Sequence, residues 1–412
     1  MDLEIVTVGT ELLLGLTLDT NSAKLSRALA SAGARVVRRC TVGDDAGAIR
    51  QTVDEALRRT RFVIVTGGLG PTHDDVTKRA VAELFDAPLE LDETYLADLE
   101  RRFAALGRGD FPPSNRSQAE IPRGATVLRN PRGLAPGLWL EGRRGTTVLL
   151  PGVPHEMHGI LEEALLPKLA ERIGSTSVIR SRTLRTTGIT ESALASRLAS
   201  LTRDLDPVTL AFLPGPSGVD LRLTAWDLPA TRADQELERA AGVLMPALGD
   251  RCYGEDDDDL AGVVLSELRA RGWLLSVAES CTGGVVAARL TAVPGASDTF
   301  QGGVVCYSNE SKVRDLGVDP EAIARHGAVS ESVAAQMVRG VVERFGTEAG
   351  IAVTGIAGPT GGTPENPVGT VWLAALADGR TRVLQRRFPG GRERVRQRSA
   401  QAALDLLRML SK

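Results

Sequence analysis

Leu274-Leu-Ser-Val-Ala-Glu-Ser-Cys-Thr-Gly-Gly284 is an apolar run that stops at a carboxylate, a hydroxyl and a thiol, then meets two glycines. Residues 274–278 predict a buried strand, because the run is short and bounded by breakers. An apolar-periodic helix is expected from near Thr282 to Leu290. Ser280 and Cys281 therefore stand where a strand hands over to a helix, whose first N–H groups lack intrahelical partners. Such donors can meet a developing oxyanion, so the junction suits a nucleophile. Simple capping of the helix by Ser280 or Thr282 is the ordinary alternative.

Strand and helix alternate through the rest of this half. Residues 302–307 predict a strand that runs into Ser308-Asn-Glu-Ser-Lys312, and residues 351–354 a buried strand before Gly355-Ile-Ala-Gly-Pro-Thr-Gly-Gly362. Residues 368–377 and 381–388 suggest a hairpin, and Ser330 caps a long helix to Phe345. On the closing helix Arg392 and Arg396 share one face near the N-terminus, where cations are unfavourable unless they meet an anion such as a phosphate. His326 is the sole histidine of this half, and no G-x-S-x-G elbow surrounds Ser280. Of 49 basic residues five are lysines, and Lys312 is the only one between Lys168 and Lys412. Lysine, unlike arginine, can lose a proton when buried, so Lys312 can serve as the base for Ser280, with Tyr307 orienting the pair. That constellation implies a Ser–Lys hydrolase of amides or esters. The rival set is Cys281 as nucleophile with Glu279 and Lys312.

The other end of the chain has its own pattern. Residues 3–8, 35–41 and 62–66 predict strands, with helices over 20–33 and 46–60 between them. This β-α-β-α-β order implies a parallel sheet with helices on both faces and ligands at the carboxyl ends of its strands. Glu11 falls in a loop after the first strand, Asp44 and Asp45 after the second. After the third comes Gly67-Gly-Leu-Gly-Pro-Thr-His-Asp-Asp75, a loop whose backbone can face a phosphate, with a divalent cation between it and Asp74 and Asp75. A plain glycine turn with two helix-start aspartates explains the same residues. His155 and His158 fit a solvated helix start better than a metal site.

Gly174-Ser-Thr-Ser177 reads as a linker to a small α/β module, with strands over 178–187, 208–213 and 219–226 and helices over 190–201 and 231–248. Gly215-Pro-Ser-Gly218 matches the G-x-x-G of RNA-binding KH loops but joins two strands, so it is expected to be a hairpin turn. The expected architecture is α/β: two three-layer α/β domains, 1–172 and 258–412, joined by a KH-like module at 177–254. A net charge of −3 and no basic stripe argue against nucleic acid as the main partner. No apolar run is long enough for a membrane span, the N-terminus lacks a signal-peptide pattern, and the four cysteines form no disulfide framework or zinc pattern. A cytoplasmic protein is expected.

With these motifs laid out, the whole chain resembles the CinA family, the competence/damage-inducible proteins. Gly9-Thr-Glu-Leu-Leu-Leu-Gly15, Val42-Gly-Asp-Asp45, Thr66-Gly-Gly-Leu-Gly-Pro-Thr72 with Asp74-Asp75, and Leu150-Pro-Gly-Val-Pro154 resemble its molybdopterin-binding-like domain. Leu69 stands where molybdopterin-handling relatives have threonine. Ala278-Glu-Ser-Cys-Thr-Gly-Gly284, Tyr307-Ser-Asn309 with Lys312, and Thr354-Gly-Ile-Ala-Gly-Pro359 resemble its nicotinamide-nucleotide amidase domain. The resemblance implies deamidation of nicotinamide mononucleotide (NMN) by Ser280 and Lys312, with no cofactor. It also implies hydrolysis of ADP-ribose by the N-terminal domain with a divalent metal (cobalt, magnesium or manganese) held by Glu11, Asp44, Asp74 and Asp75. The expected substrate contacts are Glu279, Cys281, Thr282, Gly283, Gly303, Thr354, Gly355, Arg392 and Arg396 in one domain, and Asn21, Gly67, Gly68, Gly70 and Thr72 in the other. The implied partners are small-molecule nucleotides and a second copy of the chain in a homodimer. The family name suggests the competing class, a non-enzymatic regulator or scaffold in competence or DNA repair.

Overall fold

Phe62-Val-Ile-Val-Thr66 has no polar face, and a strand of that kind is stable only with helices over both sides. The computed structural model, which describes residues 1–105, 110–173, 177–215 and 218–412, places it at the centre of such a sheet. The chain divides into two compact units, Met1–Arg180 with Ala225–Gln235, and Ser181–Thr224 with Glu236–Lys412. Most of the expected middle module thus falls within the second unit. The greater part of the expected linker and the centre of the Gly215 to Gly218 turn lie outside the described residues.

In the first unit the strands are β1 (Asp2–Val8), β2 (Arg35–Val42), β3 (Phe62–Thr66), β4 (Leu89–Leu91), β5 (Glu120–Pro122), β6 (Thr126–Leu128), β7 (Gly137–Gly142) and β8 (Gly145–Leu150). Six form one sheet in the order β2-β1-β3-β8-β7-β6, and β4 pairs with β5. The first four run parallel; at the edge β7 is antiparallel to β8 and β6 antiparallel to β7. Alternation along β3 sends Phe62 and Ile64 into one core layer with Leu25 and Leu29. Val63 and Val65 go to the opposite layer with Ile49 and Val53. The sheet is therefore the middle of three layers. The segment expected as a loop after β1 contains a short helix, Thr10–Leu13.

The second unit contains β9 (Ser177–Thr186, from Ser181 onward), β10 (Thr209–Pro214), β11 (Val219–Pro229, as far as Thr224) and β12 (Cys252–Glu255), in the sheet order β10-β11-β9-β12. Its larger sheet comprises β13 (Leu275–Glu279), β14 (Phe300–Val305), β15 (Ala349–Gly355), β16 (Thr370–Ala377) and β17 (Arg380–Arg387), ordered β14-β13-β15-β16-β17. β13, β14 and β15 are parallel, whereas β16 and β17 form the expected antiparallel hairpin. Leu275, Val277, Ile351 and Val353 face helices Leu260–Ala270 and Arg392–Ser411, and Ala278 and Ala352 face helix Glu331–Phe345. The carboxyl ends of β13, β14 and β15 lie side by side, and their loops converge there. Among the described residues no helix is long and apolar enough to cross a membrane.

Candidate active site

β13 ends in a carboxylate with no solvent contact. Glu279 accepts the N–H groups of Gly284 (3.0 Å), Val286 (3.1 Å) and Ala287 (2.8 Å), the donors at the start of helix Val285–Thr291. Between them the chain turns through Gly283 and Gly284 at φ +57° and +95°, a left-handed path that favours glycine. Two expectations are corrected. The helix begins at Val285 rather than near Thr282, with Gly284 rather than Ser280 or Thr282 at its cap. Its first-turn donors are taken up by Glu279 and are not open to an oxyanion. The N–H groups of Cys281 and Thr282, which directly follow Ser280, make no hydrogen bond to another described residue. The turn is braced from outside: the Arg396 guanidinium donates to the Thr282 carbonyl from Nε and Nη2, both at 3.0 Å.

Lys312 lies in helix Asn309–Leu316, which Ser308 caps through the Ser311 N–H. Its side chain is among the most deeply enclosed in the chain, the residue retaining 2% of its surface exposure. Nζ reaches Ser280 Oγ at 3.1 Å, the Cys306 carbonyl at 3.1 Å and the Ser308 carbonyl at 3.5 Å. Burial pulls its pKa below the ordinary lysine value against weaker opposition from Cys306, Cys281, Glu310 and Tyr307, and among the described residues no carboxylate forms an ion pair with it. In the neutral amine two N–H bonds can serve the carbonyls while the lone pair accepts the serine proton. Ser280 retains 7% exposure, enough to present Oγ to a ligand. The rival set is not assembled, because the Glu279 carboxylate is occupied by the helix start. Burial also pushes the Cys281 thiol up to about 12, which keeps it protonated and poorly nucleophilic.

A cleft of about 270 Å³ opens over this pair. Cys281, Thr354, Gly355 and Arg392 line it, as expected, together with Asn309, Thr360 and the loop following β15. Thr354 Oγ1 donates to the Ala328 carbonyl at 2.8 Å, which ties two walls together. Tyr307 lies at the cleft but does not orient the Ser–Lys pair. It is 59% exposed, and its hydroxyl accepts from Arg392 Nη2 at 2.6 Å. Arg392 also donates to the Gly358 carbonyl at 2.9 Å, so Tyr307 and the glycine loop together hold the cation at the cleft. Glu279, Thr282, Gly283 and Arg396 act behind the cleft rather than in its lining. Gly303 is a packing position: a Cβ there would come within 2.4 Å of the Val277 side chain. Asn309, quoted in its motif but not among the expected substrate contacts, stands three residues before Lys312, which puts both on one helical face.

A family profile described as "CinA C-terminal domain" matches residues 257–411, which hold this whole arrangement. A CinA-like protein of Gemmatimonas aurantiaca is 55% identical over 410 residues, 99% of this chain and 96% of that protein. The chain belongs to the CinA family. A second CinA-like protein, from Salinibacter ruber, is 44% identical over 407 residues, 98% of each chain. The profile "Probable molybdopterin binding domain" matches residues 4–171, and "Damage-inducible protein CinA KH domain" matches 181–254. Among solved structures, the competence/damage inducible protein CihA of Agrobacterium tumefaciens is 39% identical, covering 37% of this chain and 94% of its own, with a TM-score of 0.37. The protein CinA of Thermoplasma acidophilum is 34% identical, covering 41% and 97%, with a TM-score of 0.38.

The molybdopterin-binding-like part of this CinA family member presents a different picture. Gly67 and Gly68 take left-handed φ values of +112° and +66°, and a Cβ on Gly67 would lie 2.2 Å from the Val8 carbonyl oxygen. Asn21 donates to Thr66 Oγ1 (3.2 Å) and to the Gly152 carbonyl (2.8 Å), while its own buried Oδ1 has no partner. The acids around this edge are engaged locally. Asp44 accepts from the Thr10 N–H at 2.8 Å, and Asp75 from the Thr72 N–H at 2.9 Å and the Thr72 hydroxyl. Glu11 is exposed, and the Asp74 side chain is 61% exposed beside His73. Among the described residues no three His, Cys, Asp or Glu side chains are gathered as a metal-ligand set. Glu11, Asp44, Asp74 and Asp75 therefore stand around the edge without forming a ready-made ligand set. Lys78, in the helix that follows, was not anticipated: it is bonded to the Ser117 carbonyl, and burial pulls its pKa to about 8.

Proposed function

We propose that the second unit is an amidase that converts NMN to nicotinate mononucleotide and ammonia. The observation that carries this reading is the 3.1 Å contact between Lys312 Nζ and Ser280 Oγ, made by an enclosed lysine without a carboxylate partner. Neutral Lys312 takes the Ser280 proton as Oγ attacks the carboxamide carbon. The negative charge moves to the amide oxygen, which the Cys281 and Thr282 N–H groups can meet. Lys312 then gives its proton to the departing nitrogen, the C–N bond breaks, and ammonia leaves an ester on Ser280. Water loses a proton to Lys312 and attacks that ester; the Ser280 oxygen leaves with the proton and nicotinate mononucleotide is released. Arg392 supplies a cation for the nucleotide phosphate at the cleft. The test is ammonia release by purified protein, comparing Ser280→Ala with Cys281→Ala. Activity lost in the serine variant and kept in the cysteine variant supports the Ser–Lys pair; the reverse result overturns it.

A second reading concerns the first unit. The Gly67–Gly68 backbone lies at the carboxyl edge of its parallel sheet, a place suited to a nucleotide phosphate, and the unpartnered Asn21 Oδ1 beside Thr66 is an acceptor for a ligand N–H or O–H. The motifs this edge shares with the family's molybdopterin-binding-like domain imply ADP-ribose as the substrate and a divalent metal as the helper. Hydrolysis of ADP-ribose with magnesium, manganese or cobalt, and its absence in EDTA, is the result expected. No turnover with any of the three metals would overturn it.

A further inference from the structure

The second unit contains another, larger cavity, of about 940 Å³. It lies where the KH-type module meets β17 and the closing helix, and none of its lining residues belongs to the Ser280 cleft. Five arginines line it: Arg197, Arg251, Arg382, Arg386 and Arg398. Among the described residues none of the five forms an ion pair with a carboxylate. The two described hydrogen bonds of this group go to backbone carbonyls, from Arg251 to Gly188 (2.9 Å) and from Arg386 to Gln385 (3.1 Å). The lining also holds Asp250, Asp405 and Glu191, but two of these acids already have cations. Asp405 pairs with Arg408 at 2.7 Å and Asp250 pairs with Lys412, neither of which lines the cavity. Five unpaired cations therefore face one acid without a cation. Like charges gathered around one space raise its potential and favour a multiply charged anion.

The rest of the wall narrows the class. Leu384, Phe388, Leu406 and Met409 give it an apolar side, and the buried Gln401 and Thr187, bonded to each other at 3.2 Å, give it a fixed polar floor. An apolar wall beside a cluster of cations matches a molecule with a flat base at one end and several negative charges at the other. The volume is at the upper end of small-molecule sites, which run to about 1,000 Å³. A nucleic-acid strand would spread its charge well beyond such a cavity, and the chain's net charge of −3 does not favour one.

We propose that this cavity binds a nucleotide carrying a pyrophosphate, at a site separate from the Ser280 cleft. The proposal rests on the cavity alone and stands or falls independently of the amidase reading. It is tested on the full-length protein in EDTA by calorimetric titration with ADP, and by photolabelling with azido-ADP followed by peptide mapping. Wild-type protein is expected to take label within residues 384–409 or 187–191, with ADP protecting and excess NMN not protecting. Arg382→Ala/Arg398→Ala should lose that label and the matching calorimetric component, with at least about tenfold weaker binding and unchanged circular dichroism. Should that variant misfold, Arg382→Glu at its exposed strand position gives the same readout. Undiminished binding in a folded variant overturns the proposal, as does label confined to other peptides. Equal affinity for adenosine, which lacks the charge, or tighter binding of single-stranded RNA at the same peptides, also overturns it.

Discussion

Two carboxyl edges of parallel sheets in this chain carry glycine loops, and they are built on opposite principles. At the Ser280 edge the reactive groups are enclosed and already touch: nucleophile, base and two backbone carbonyls form one hydrogen-bonded set. At the Gly67 edge the acids stand apart, held by their own loops or open to water. Burial changes what a group can do. It lowers the pKa of Lys312 toward use as a base, and it raises that of Cys281 out of reach. The aspartates of the Gly67 edge lack that enclosure and need something else to gather them. One site is organised before its ligand arrives; the other is expected to be organised by it.

The comparison breaks most sharply at the Ser–Lys pair. Ser280→Ala and Lys312→Met should each lower ammonia release from NMN by roughly a thousandfold or more, since nucleophile and base act as a unit. Near-normal turnover in either would remove the basis for treating the buried edge as catalytic. At the exposed edge, Asp74→Asn/Asp75→Asn should lower ADP-ribose hydrolysis by about a hundredfold or more and leave NMN deamidation unchanged. EDTA should divide the two activities in the same way. A chelator that silences both would show that the two edges do not differ as their geometry indicates.

Smaller effects sharpen the picture of the buried site. Arg392→Ala should raise KM for NMN by about tenfold or more with a lesser change in kcat, because its cation meets the phosphate and not the reacting carbon. The pH profile has a definite sign. Lys312 works as the neutral amine, so kcat/KM should rise with pH as the lysine loses its proton. Burial lowers the folded-state pKa, so the rise should centre below the 10.5 of an ordinary lysine. A flat profile from about pH 6 to about pH 10 would count against Lys312 as the base. Cys281→Ala should stay within about threefold of wild type, since its thiol is protonated throughout this range.

Apolar runs made most of the strands readable. Residues 62–66 and 274–278 announce themselves because a sheet covered on both faces leaves no exposed, charged position to blur them. Lys312 was readable for a different reason: in a chain that otherwise uses arginine, a lone lysine near a strand end stands out. The start of the helix after Ser280 was not, because it depends on Glu279 reaching forward to three N–H groups and on two glycines going left-handed. Local periodicity contains neither fact. Tyr307 was assigned to the wrong neighbour because its partner, Arg392, lies 85 positions away in the chain. The arginines of the larger cavity come from the KH-type module, a strand and the closing helix, so no window of sequence shows them together.

The closing helix, Arg392–Ser411, has one more consequence. Its first turns hold Arg392 at the Ser280 cleft and Arg396 on the Thr282 carbonyl, while Arg398, Gln401, Asp405 and Met409 line the larger cavity. Twenty residues at about 1.5 Å each make a rod of about 30 Å that belongs to both places. Gln401 also accepts from Arg289 at 2.7 Å, which joins that rod to the helix following the nucleophile turn. A thermodynamic cycle then fixes the traffic between the two ends. Whatever factor a guest in the cavity applies to NMN affinity, NMN must apply to that guest, in the same direction and to the same extent.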